Sequence, residues 1–304
     1  MKKILLLAGH DINVLKDAII DADIFDVYKK GAFFKIVKRF KVFLPISLET
    51  WKKQLKKYDL VILFDTYYND GIIDYIYNNN ENIRIILYCW NSINEISTRF
   101  NINTLINDDR VEIWSYNSAD CIKYGLNYNS QFWNTSLMKN INNDLTINKY
   151  DISFIGSPKN RIEILEKLNE FCNKNNLISF FYISNCKCSF NKNLNNEFVP
   201  YDVYVEKIAS QSHVILDLVT KDNYGLTLRP LEALFLHKKL ITNYKEIIFE
   251  PFYNSNNIYI LGSDKRDLLT FLSLPLTTIS SDIVKLYNCD YWLNRFIGEF
   301  TWKA

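Results

Sequence analysis

The sequence predicts an α/β protein made of two doubly wound domains that face a cleft. Short apolar runs alternate with helical patterns along the chain, and this alternation breaks once, near the middle. The length of 304 residues exceeds that of a usual single domain, and 48% apolar residues suffice for two cores. We expect a first domain at 1–137, a linker at 138–149, a second domain at 150–285 and a closing helical segment at 286–304.

The first domain carries four apolar runs that are typical of buried parallel strands. They are Lys3–Ala8, Asp59–Phe64, Ile83–Tyr88 and Val111–Ser115. The last is followed by a helical pattern that ends at Gly125, a residue suited to a helix C-terminus.

After the first run, Ile12, Leu15, Ile19 and Ala22 share one helical face, with Asp11 as a plausible N-cap. The Asp-x-Asp of the chain, Asp21-Ala-Asp23, is then predicted at the end of this helix rather than in a loop at the sheet edge. We therefore expect no metal site there.

The alternation restarts at residue 150. We predict strands at Tyr150–Ile155, Ile178–Ile183, His213–Leu218, Lys239–Thr242 and Ile258–Leu261, with helical patterns between them. Two such domains in tandem bind ligands at the carboxyl ends of their strands.

Bulk properties exclude several classes of protein. The net charge of +2 argues against a general polyanion binder, and no recognition helix or zinc pattern points to nucleic acid. No apolar stretch reaches the roughly 20 residues of a membrane span, and no signal peptide precedes Gly9. Only Cys186 and Cys188 are close among six cysteines, so we expect reduced thiols in a cytoplasmic protein rather than a zinc site.

The segment Tyr224–Thr242 is the most informative stretch of the chain. A short loop leads into Arg229-Pro230, where proline suits a first helical turn, and Glu232 follows within that turn. A loop, a helix N-terminus, an arginine and a glutamate can together hold a phosphate and a sugar hydroxyl.

This segment resembles the donor-site motif of GT-B glycosyltransferases, which consist of two Rossmann-like domains. In many of them two glutamates separated by seven residues frame the loop, and the first would fall on Tyr224 here. The departure makes the chain similar to CgeB-like and lipopolysaccharide-type transferases. The resemblance implies that the second domain holds a nucleotide sugar, that the first holds the acceptor, and that the closing helix packs back on the first domain.

The resemblance also assigns residues to the donor. Glu232 would accept hydrogen bonds from the ribose, Arg229 would pair with the diphosphate, and Thr227 would offer a backbone N–H. The loop Gly156-Ser157, with Arg161 after it, matches a Phe-x-Gly-Ser loop of such transferases. Each assignment has an alternative. Glu232 could merely stabilise the helix dipole, Arg229 could form a surface ion pair, and the Gly156-Ser157 loop could be an ordinary strand-to-helix turn.

The first domain supplies candidates for the catalytic base and the acceptor site. Inverting sugar transfer needs a group that takes the acceptor hydroxyl proton, and His10, Asp11 and Asp65 each follow a predicted strand. Trp90 could stack on a sugar and Asn91 could bind its hydroxyls. A helix cap at Asp11 and a packed aromatic side chain at Trp90 are the alternatives.

Residues 29–57 form a basic and aromatic segment with Glu49 as its only acid. Lys35, Lys38, Arg39 and Lys41 alternate there with Phe and other apolar residues. Such a mixture suits contact with an anionic membrane surface or a lipid-linked acceptor, and the alternative is a solvated helix that covers a core.

Together these features predict a cytoplasmic glycosyltransferase, peripheral at the inner face of the plasma membrane. It would move a sugar from a nucleotide sugar to a lipid-linked or polysaccharide acceptor of surface glycan (lipopolysaccharide or capsule) synthesis, with no cofactor, no metal and no nucleic-acid partner. A nucleotide-sugar epimerase of similar architecture and a non-catalytic membrane-associated binding protein are the alternatives.

Overall fold

The protein forms two compact units, Met1–Asn134 with Cys289–Ala304, and Thr135–Asn288. The computed structural model describes residues 2–8, 19, 21–28, 45, 49–141, 148–158, 160–184, 186, 188, 190, 199–220 and 225–298.

The first unit contains a six-stranded parallel sheet in the order β2-β1-β3-β4-β5-β6. Its strands are β1 Ile4–Ala8, β2 Ala22–Asp26, β3 Leu60–Phe64, β4 Arg84–Cys89, β5 Val111–Ser115 and β6 Asn127–Tyr128. The four predicted strands of this domain are confirmed. They are recognisable because both faces of the sheet are covered: Leu5 and Leu63 pack into one core cluster and Leu6 and Ile62 into another.

The strand β2 corrects the predicted end of the first helix, because Ala22 and Asp23 belong to this strand and Asp21 directly precedes it. Asp11, Ile12 and Leu15 of the predicted helix lie outside the described residues. The sequence pattern hides β2 because it is an edge strand, in which acidic side chains can reach water. Asp23 accepts hydrogen bonds from the Tyr58 hydroxyl and forms an ion pair with Lys57, both at 2.8 Å. Burial is slight there, and the Lys57 hydrogen bond lowers the pKa of Asp23.

Five short helices lie in the described residues 49–134 of the first unit. They are α1 Thr50–Gln54, α2 Ile72–Asn79, α3 Ile93–Ile96, α4 Ile102–Ile106 and α5 Ser118–Tyr124, with 3-10 turns at Leu55–Lys57 and Asp65–Tyr67. The predicted end of α5 is confirmed: Gly125 has φ 67°, the left-handed conformation that glycine adopts easily.

The last helix, α11 (Cys289–Phe296), packs within the first unit. Trp292 stacks on Phe64 with ring centroids 5.7 Å apart and meets Tyr88 edge-on at 5.1 Å. Asn129 donates a hydrogen bond to the Trp292 carbonyl at 3.0 Å and accepts one from Arg295 at 2.7 Å. Buried aromatic rings and a satisfied buried guanidinium therefore fix this helix to the sheet.

The second unit contains a five-stranded parallel sheet in the order β11-β10-β9-β7-β8. Its strands are β7 Tyr150–Gly156, β8 Ser179–Ile183, β9 Ser212–Asp217, β10 Lys239–Thr242 and β11 Ile258–Ile260, and all five predictions are confirmed. Its helices are α6 Ile162–Lys174, α7 Tyr201–Tyr204, α8 Leu228–Phe235, α9 Leu268–Ser273 and α10 Ser281–Lys285. A π-helical segment at Val205–Ala209 continues α7, and 3-10 segments lie at Thr135–Asn140 and Lys245–Phe249.

Two further features bear on the expected chemistry. Cys186 and Cys188 form a disulfide, so the expectation of reduced thiols is wrong for this pair. Within the described ranges, no three His, Cys, Asp or Glu side chains cluster as a metal site, and no helix is both long and apolar enough to span a bilayer.

Lys239, at the start of β10, is a buried lysine, with only 1% of its surface exposed. Its Nζ donates a hydrogen bond to the Phe271 carbonyl at 2.5 Å and lies 4.3 Å from the Phe271 ring centroid. These contacts do not replace the lost hydration of a full charge. Burial, together with nearby Arg266, therefore lowers the pKa of Lys239 to about 8.

Replacing Lys239 by Met should stabilise the protein in a pH-dependent way. Because the pKa is lowered in the folded state, the unfolded chain binds more protons between about pH 8 and the ordinary value of 10.5, and stability rises with pH in this window. We expect K239M to melt several degrees above the wild type at pH 7, and the gap to shrink by pH 10.

Thermal unfolding followed by circular dichroism at both pH values measures this gap. The exposed Lys245 provides the control substitution, K245M, which should leave the melting temperature nearly unchanged. A gap of the same size at pH 7 and pH 10 would contradict the assignment.

Candidate functional site

The carboxyl edge of the second sheet gathers charged and hydroxyl side chains. The neighbouring strands β7, β9 and β10 end there at Gly156, Asp217 and Thr242, and α8 begins after the loop that follows β9. The carboxyl edge of a parallel sheet is where such folds bind their ligands.

Asp217 organises this edge, although the sequence analysis did not single it out. Its side chain is 3% exposed and accepts hydrogen bonds from the hydroxyls of Thr227 and Thr242, both at 2.9 Å. Burial raises the pKa of Asp217, and the two threonine hydrogen bonds oppose this shift. Thr227 also caps α8 by accepting a hydrogen bond from the Arg229 N–H at 3.3 Å. The buried carboxylate thus fixes the start of α8. The sequence feature that could have identified Asp217 is a single acidic residue at the end of an apolar strand.

A second clamp holds the chain where it leaves β9. The Asn243 side chain accepts a hydrogen bond from the Val219 N–H at 2.7 Å and donates one to the Val219 carbonyl at 3.0 Å. This pairing joins the segments that follow β9 and β10. Sequence reasoning missed Asn243 as well, because one asparagine after a strand has no distinctive pattern.

Gly156 allows Arg161 to approach the end of β7. A Cβ atom on Gly156 would lie 2.8 Å from Cζ of Phe154 and 3.4 Å from Nη1 of Arg161. The Arg161 Nε donates to the Leu218 carbonyl at 2.7 Å, and its Nη1 donates to the Ser157 carbonyl at 3.3 Å. Arg161 therefore bridges the loop after β7 and the end of β9, which is where the sequence placed it.

Arg229, in the first turn of α8, lies at the same edge. Its Nη1 donates to both carboxylate oxygens of Glu232 at 2.7 Å, and its Nη2 donates to the Ile155 carbonyl at 2.9 Å. The guanidinium carbon is 4.2 Å from the centroid of the Tyr204 ring. The exposed fraction of the Arg229 side chain is 19%.

The Glu232 side chain, which the sequence analysis expects to bind a ribose, has no exposed surface. Besides Arg229, the hydroxyls of Tyr201 and Tyr204 bind its two oxygens, at 2.9 and 3.0 Å. A carboxylate buried in this way is stabilised by its own partners. Direct contact with a ribose would require these bonds to be exchanged.

The two arginines place positive charge at one edge. Burial lowers the pKa of Arg161, the Asp217 carboxylate opposes this shift, and the charge of Arg229 adds to it. Within the described residues, the Nη2 group of Arg161 and the Nε–H of Arg229 have no hydrogen-bond acceptor. Such an edge can bind a group that carries two negative charges.

The sequence-predicted donor residues are thus brought together on the second unit. Gly156, Ser157 and Arg161 come from the β7–α6 connection, and Thr227 and Arg229 come from the start of α8. Glu232 lies beneath them as the buried partner of Arg229. Tyr224, where many related motifs have a glutamate, lies outside the described residues.

In the first unit, Asp65 occupies the carboxyl end of β3 and is 1% exposed. It accepts hydrogen bonds from the Trp90 N–H at 2.5 Å and from the Asn91 side chain at 3.0 Å, and it pairs with Arg99. Burial raises the pKa of Asp65, and these three partners oppose the shift. Trp90 packs edge-on against Phe64 at 5.7 Å, so its ring belongs largely to the core.

A cavity of about 140 Å³ adjoins Asp65. Its wall includes Tyr28, Tyr67, Tyr68, Asn69, Arg99 and Phe100. The rings of Tyr68 and Phe100 are 4.3 Å apart and form an aromatic side to this otherwise polar space. Trp90 and Asn91 do not line this cavity, although Asn91 donates a hydrogen bond to Asp65, which does.

The remaining predicted residues lie outside the described part of the chain. They are the base candidates His10 and Asp11 and the membrane-patch residues Lys35, Lys38, Arg39 and Lys41. Their roles stay predictions.

Among solved structures, the chain is similar to an α-glucosyltransferase in complex with UDP, with 11% identity, a TM-score of 0.51, and coverage of 97% of this chain and 93% of that one. A structure of α-glucosyltransferase with UDP-glucose and DNA containing an abasic site has a TM-score of 0.47 (12% identity, 96% and 92% coverage). An NAD⁺-bound 3-phosphoglycerate dehydrogenase of Entamoeba histolytica has a TM-score of 0.24 (10% identity, 86% and 87% coverage). The last two scores are too low to support an argument.

The first likeness, with the two parallel sheets, confirms the predicted GT-B fold class. No protein-family model and no curated protein sequence matches the chain, so the narrower resemblance to CgeB-like and lipopolysaccharide-type transferases is not confirmed.

Replacing Asp65 by Asn should destabilise the protein even though the shape is kept. The amide removes the negative charge that pairs with Arg99 and turns one acceptor into a donor. We expect a loss of about 2 kcal/mol, below the range of roughly 3–5 kcal/mol for a fully buried pair, because the Arg99 side chain is 28% exposed.

Urea unfolding measures this loss. The exposed Asp109 gives the control variant D109N, which should stay within about 0.5 kcal/mol of the wild type. Equal stability of D65N and D109N would show that Asp65 does not stabilise this edge.

Proposed function

We propose that the protein is a glycosyltransferase that takes a sugar from a nucleotide sugar bound at the carboxyl edge of its second sheet. The observation that carries the proposal is that Arg161 and Arg229 both bind backbone carbonyls at that edge, in a fold similar to that of an α-glucosyltransferase solved with UDP. Fold alone does not give function, so the proposal depends on these two guanidinium groups.

The chemistry follows from where charge develops. As the bond between the sugar and the diphosphate breaks, negative charge grows on the leaving diphosphate. Arg161, Arg229 and the N–H groups at the start of α8 are positioned to stabilise it without reorganisation. Because these groups supply positive charge themselves, we propose that transfer needs no metal ion.

We propose that the acceptor binds the first unit. The cavity beside Asp65 has polar and aromatic walls that suit a hydroxyl-bearing ring. Asp65 already accepts three hydrogen bonds, which makes it a weaker candidate for the catalytic base than His10 or Asp11.

The acceptor that we propose is a lipid-linked or polysaccharide chain of surface glycan synthesis, in lipopolysaccharide or capsule. The basic and aromatic segment 29–57 supports this choice, because anionic lipid attracts such a segment by about 1 kcal/mol for each basic residue. The protein would then act at the inner face of the plasma membrane.

Nucleotide binding tests the proposal most directly. In a panel of UDP, GDP, CMP and ADP, we expect UDP at a hundred times its dissociation constant to raise the melting temperature by several degrees, equivalent to about 2.7 kcal/mol. R161Q and R229Q should each lose most of this shift, because a charged hydrogen bond to phosphate is removed.

Arg266 provides the control, since it follows the edge strand β11 and pairs with Asp264. R266Q should keep the full shift, and transfer from the matching UDP-sugars should follow the same ranking and persist in EDTA. If R161Q and R229Q shift as much as the wild type does, the nucleotide binds elsewhere and the proposal fails.

Liposome sedimentation tests the membrane proposal. At low salt we expect the wild type to sediment with anionic vesicles and the variant with Lys35, Lys38, Arg39 and Lys41 replaced by Ser to stay in the supernatant.

A matched variant removes four exposed lysines of the second unit instead: Lys167, Lys174, Lys207 and Lys245. It changes the net charge equally and should still sediment. Equal loss of binding in both variants would mean that total charge, rather than this segment, drives the association.

A further inference from the structure

The Glu232 carboxylate is satisfied from within the protein. Its side chain has no exposed surface, and its oxygens accept hydrogen bonds from Tyr201 (2.9 Å), Tyr204 (3.0 Å) and Arg229 (2.7 Å). All three donors come from the second unit. Arg229 keeps 19% of its side-chain surface exposed and Glu232 keeps none, so only Arg229 of this ion pair is open to a ligand.

The Arg229 guanidinium is held on three sides. Glu232 accepts from Nη1, the Ile155 carbonyl accepts from Nη2, and the Tyr204 ring lies 4.2 Å from the central carbon. Ile155 directly precedes Gly156 at the end of β7, so these contacts place the guanidinium beside the Gly156 loop. In the described part of the chain its Nε–H has no acceptor, which leaves a donor for a ligand.

We infer that Glu232 is a positioning residue: with the Tyr204 ring, it locks Arg229 in place to bind the diphosphate of the donor, and it does not bind the ribose. This inference rests on the proposed function of the same site.

The physical reason is conformational entropy. A free arginine side chain loses much rotamer freedom when it binds phosphate, whereas one that is already fixed loses little. Nη1 of Arg229 donates to both oxygens of the Glu232 carboxylate, and Nη2 donates to the Ile155 carbonyl. Hydrogen bonds from two different nitrogens fix both the position and the plane of the guanidinium. The negative charge of Glu232 also repels a diphosphate, so E232Q removes an unfavourable interaction together with the positioning contact. Substitutions of Tyr204, which leave the charge of the site unchanged, are therefore needed beside E232Q.

The test separates the two halves of the nucleotide. Isothermal titration, with competition against UDP, measures the affinities for UDP, uridine and pyrophosphate. For E232Q we expect binding of UDP and of pyrophosphate to weaken by about tenfold and binding of uridine to stay unchanged. A ribose ligand would give the reverse pattern: weaker binding of UDP and uridine with pyrophosphate unaffected.

Tyr204 supplies the variants without a charge change. Y204F keeps the ring against the guanidinium and loses one hydrogen bond to Glu232, whereas Y204L removes the ring. We expect Y204L to weaken pyrophosphate binding by several-fold more than Y204F does. The exposed Glu246 gives the control E246Q, which should bind all three ligands as the wild type does.

A double variant shows whether Glu232 acts through Arg229. In the R229Q background, E232Q should add no further loss of pyrophosphate affinity. Circular dichroism and urea unfolding identify variants that fail to fold, and affinities are compared only among folded variants. If E232Q does not fold, the comparison of Y204F with Y204L still tests the positioning role.

The outcomes are distinct. If E232Q weakens uridine binding, or tightens pyrophosphate binding, or if Y204F and Y204L behave alike, the positioning role is wrong while nucleotide binding stands. If the wild type binds neither UDP nor pyrophosphate, the proposed function itself fails and the inference falls with it.

Discussion

The pairing of buried charge at the carboxyl ends of the sheets is the constraint on which the functional edges depend. Asp217 ends β9 and Asp65 follows β3, and each is almost fully buried. Both strands are central in their sheets, with neighbouring strands on either side. A buried carboxylate is tolerated only when donors surround it, and here the donors come from the ends of strands and from the segments that follow them. The carboxylates therefore dictate how those segments run.

In the second unit this constraint builds the candidate donor site. Asp217 accepts hydrogen bonds from the hydroxyls of Thr227 and Thr242 and so fixes where α8 begins. The helix then carries Arg229 to the end of β7, where a glycine leaves space for Arg161. Hydrogen bonds to backbone carbonyls hold both guanidinium groups in place, and the proposed stabilisation of a leaving diphosphate depends on this fixed arrangement.

The first unit also has a buried carboxylate surrounded by donors at the end of a strand, and here it lies beside a cavity. Asp65 collects a backbone N–H, an amide and a guanidinium, and these contacts support a cavity with an aromatic side. The helix α11 adds Trp292 to the opposite face of this sheet, where it packs against Phe64, the residue before Asp65. Packing on one side and polar pairing on the other hold the end of β3 in place.

The sequence alone determined the fold class and nine of the strands, because strands buried on both faces need continuous apolar runs and glycine ends a helix visibly. The resemblance to GT-B transferases selected Arg161, Arg229 and the Gly156 loop, and their role in donor binding stays a proposal. The sequence did not reveal the edge strand β2, whose acidic residues resemble a helix end, or the Cys186–Cys188 disulfide. Only the tertiary structure decided that Glu232 points inward to Tyr204 and that Asp217 anchors α8. Partners far apart in the chain make those choices, and no local pattern encodes them.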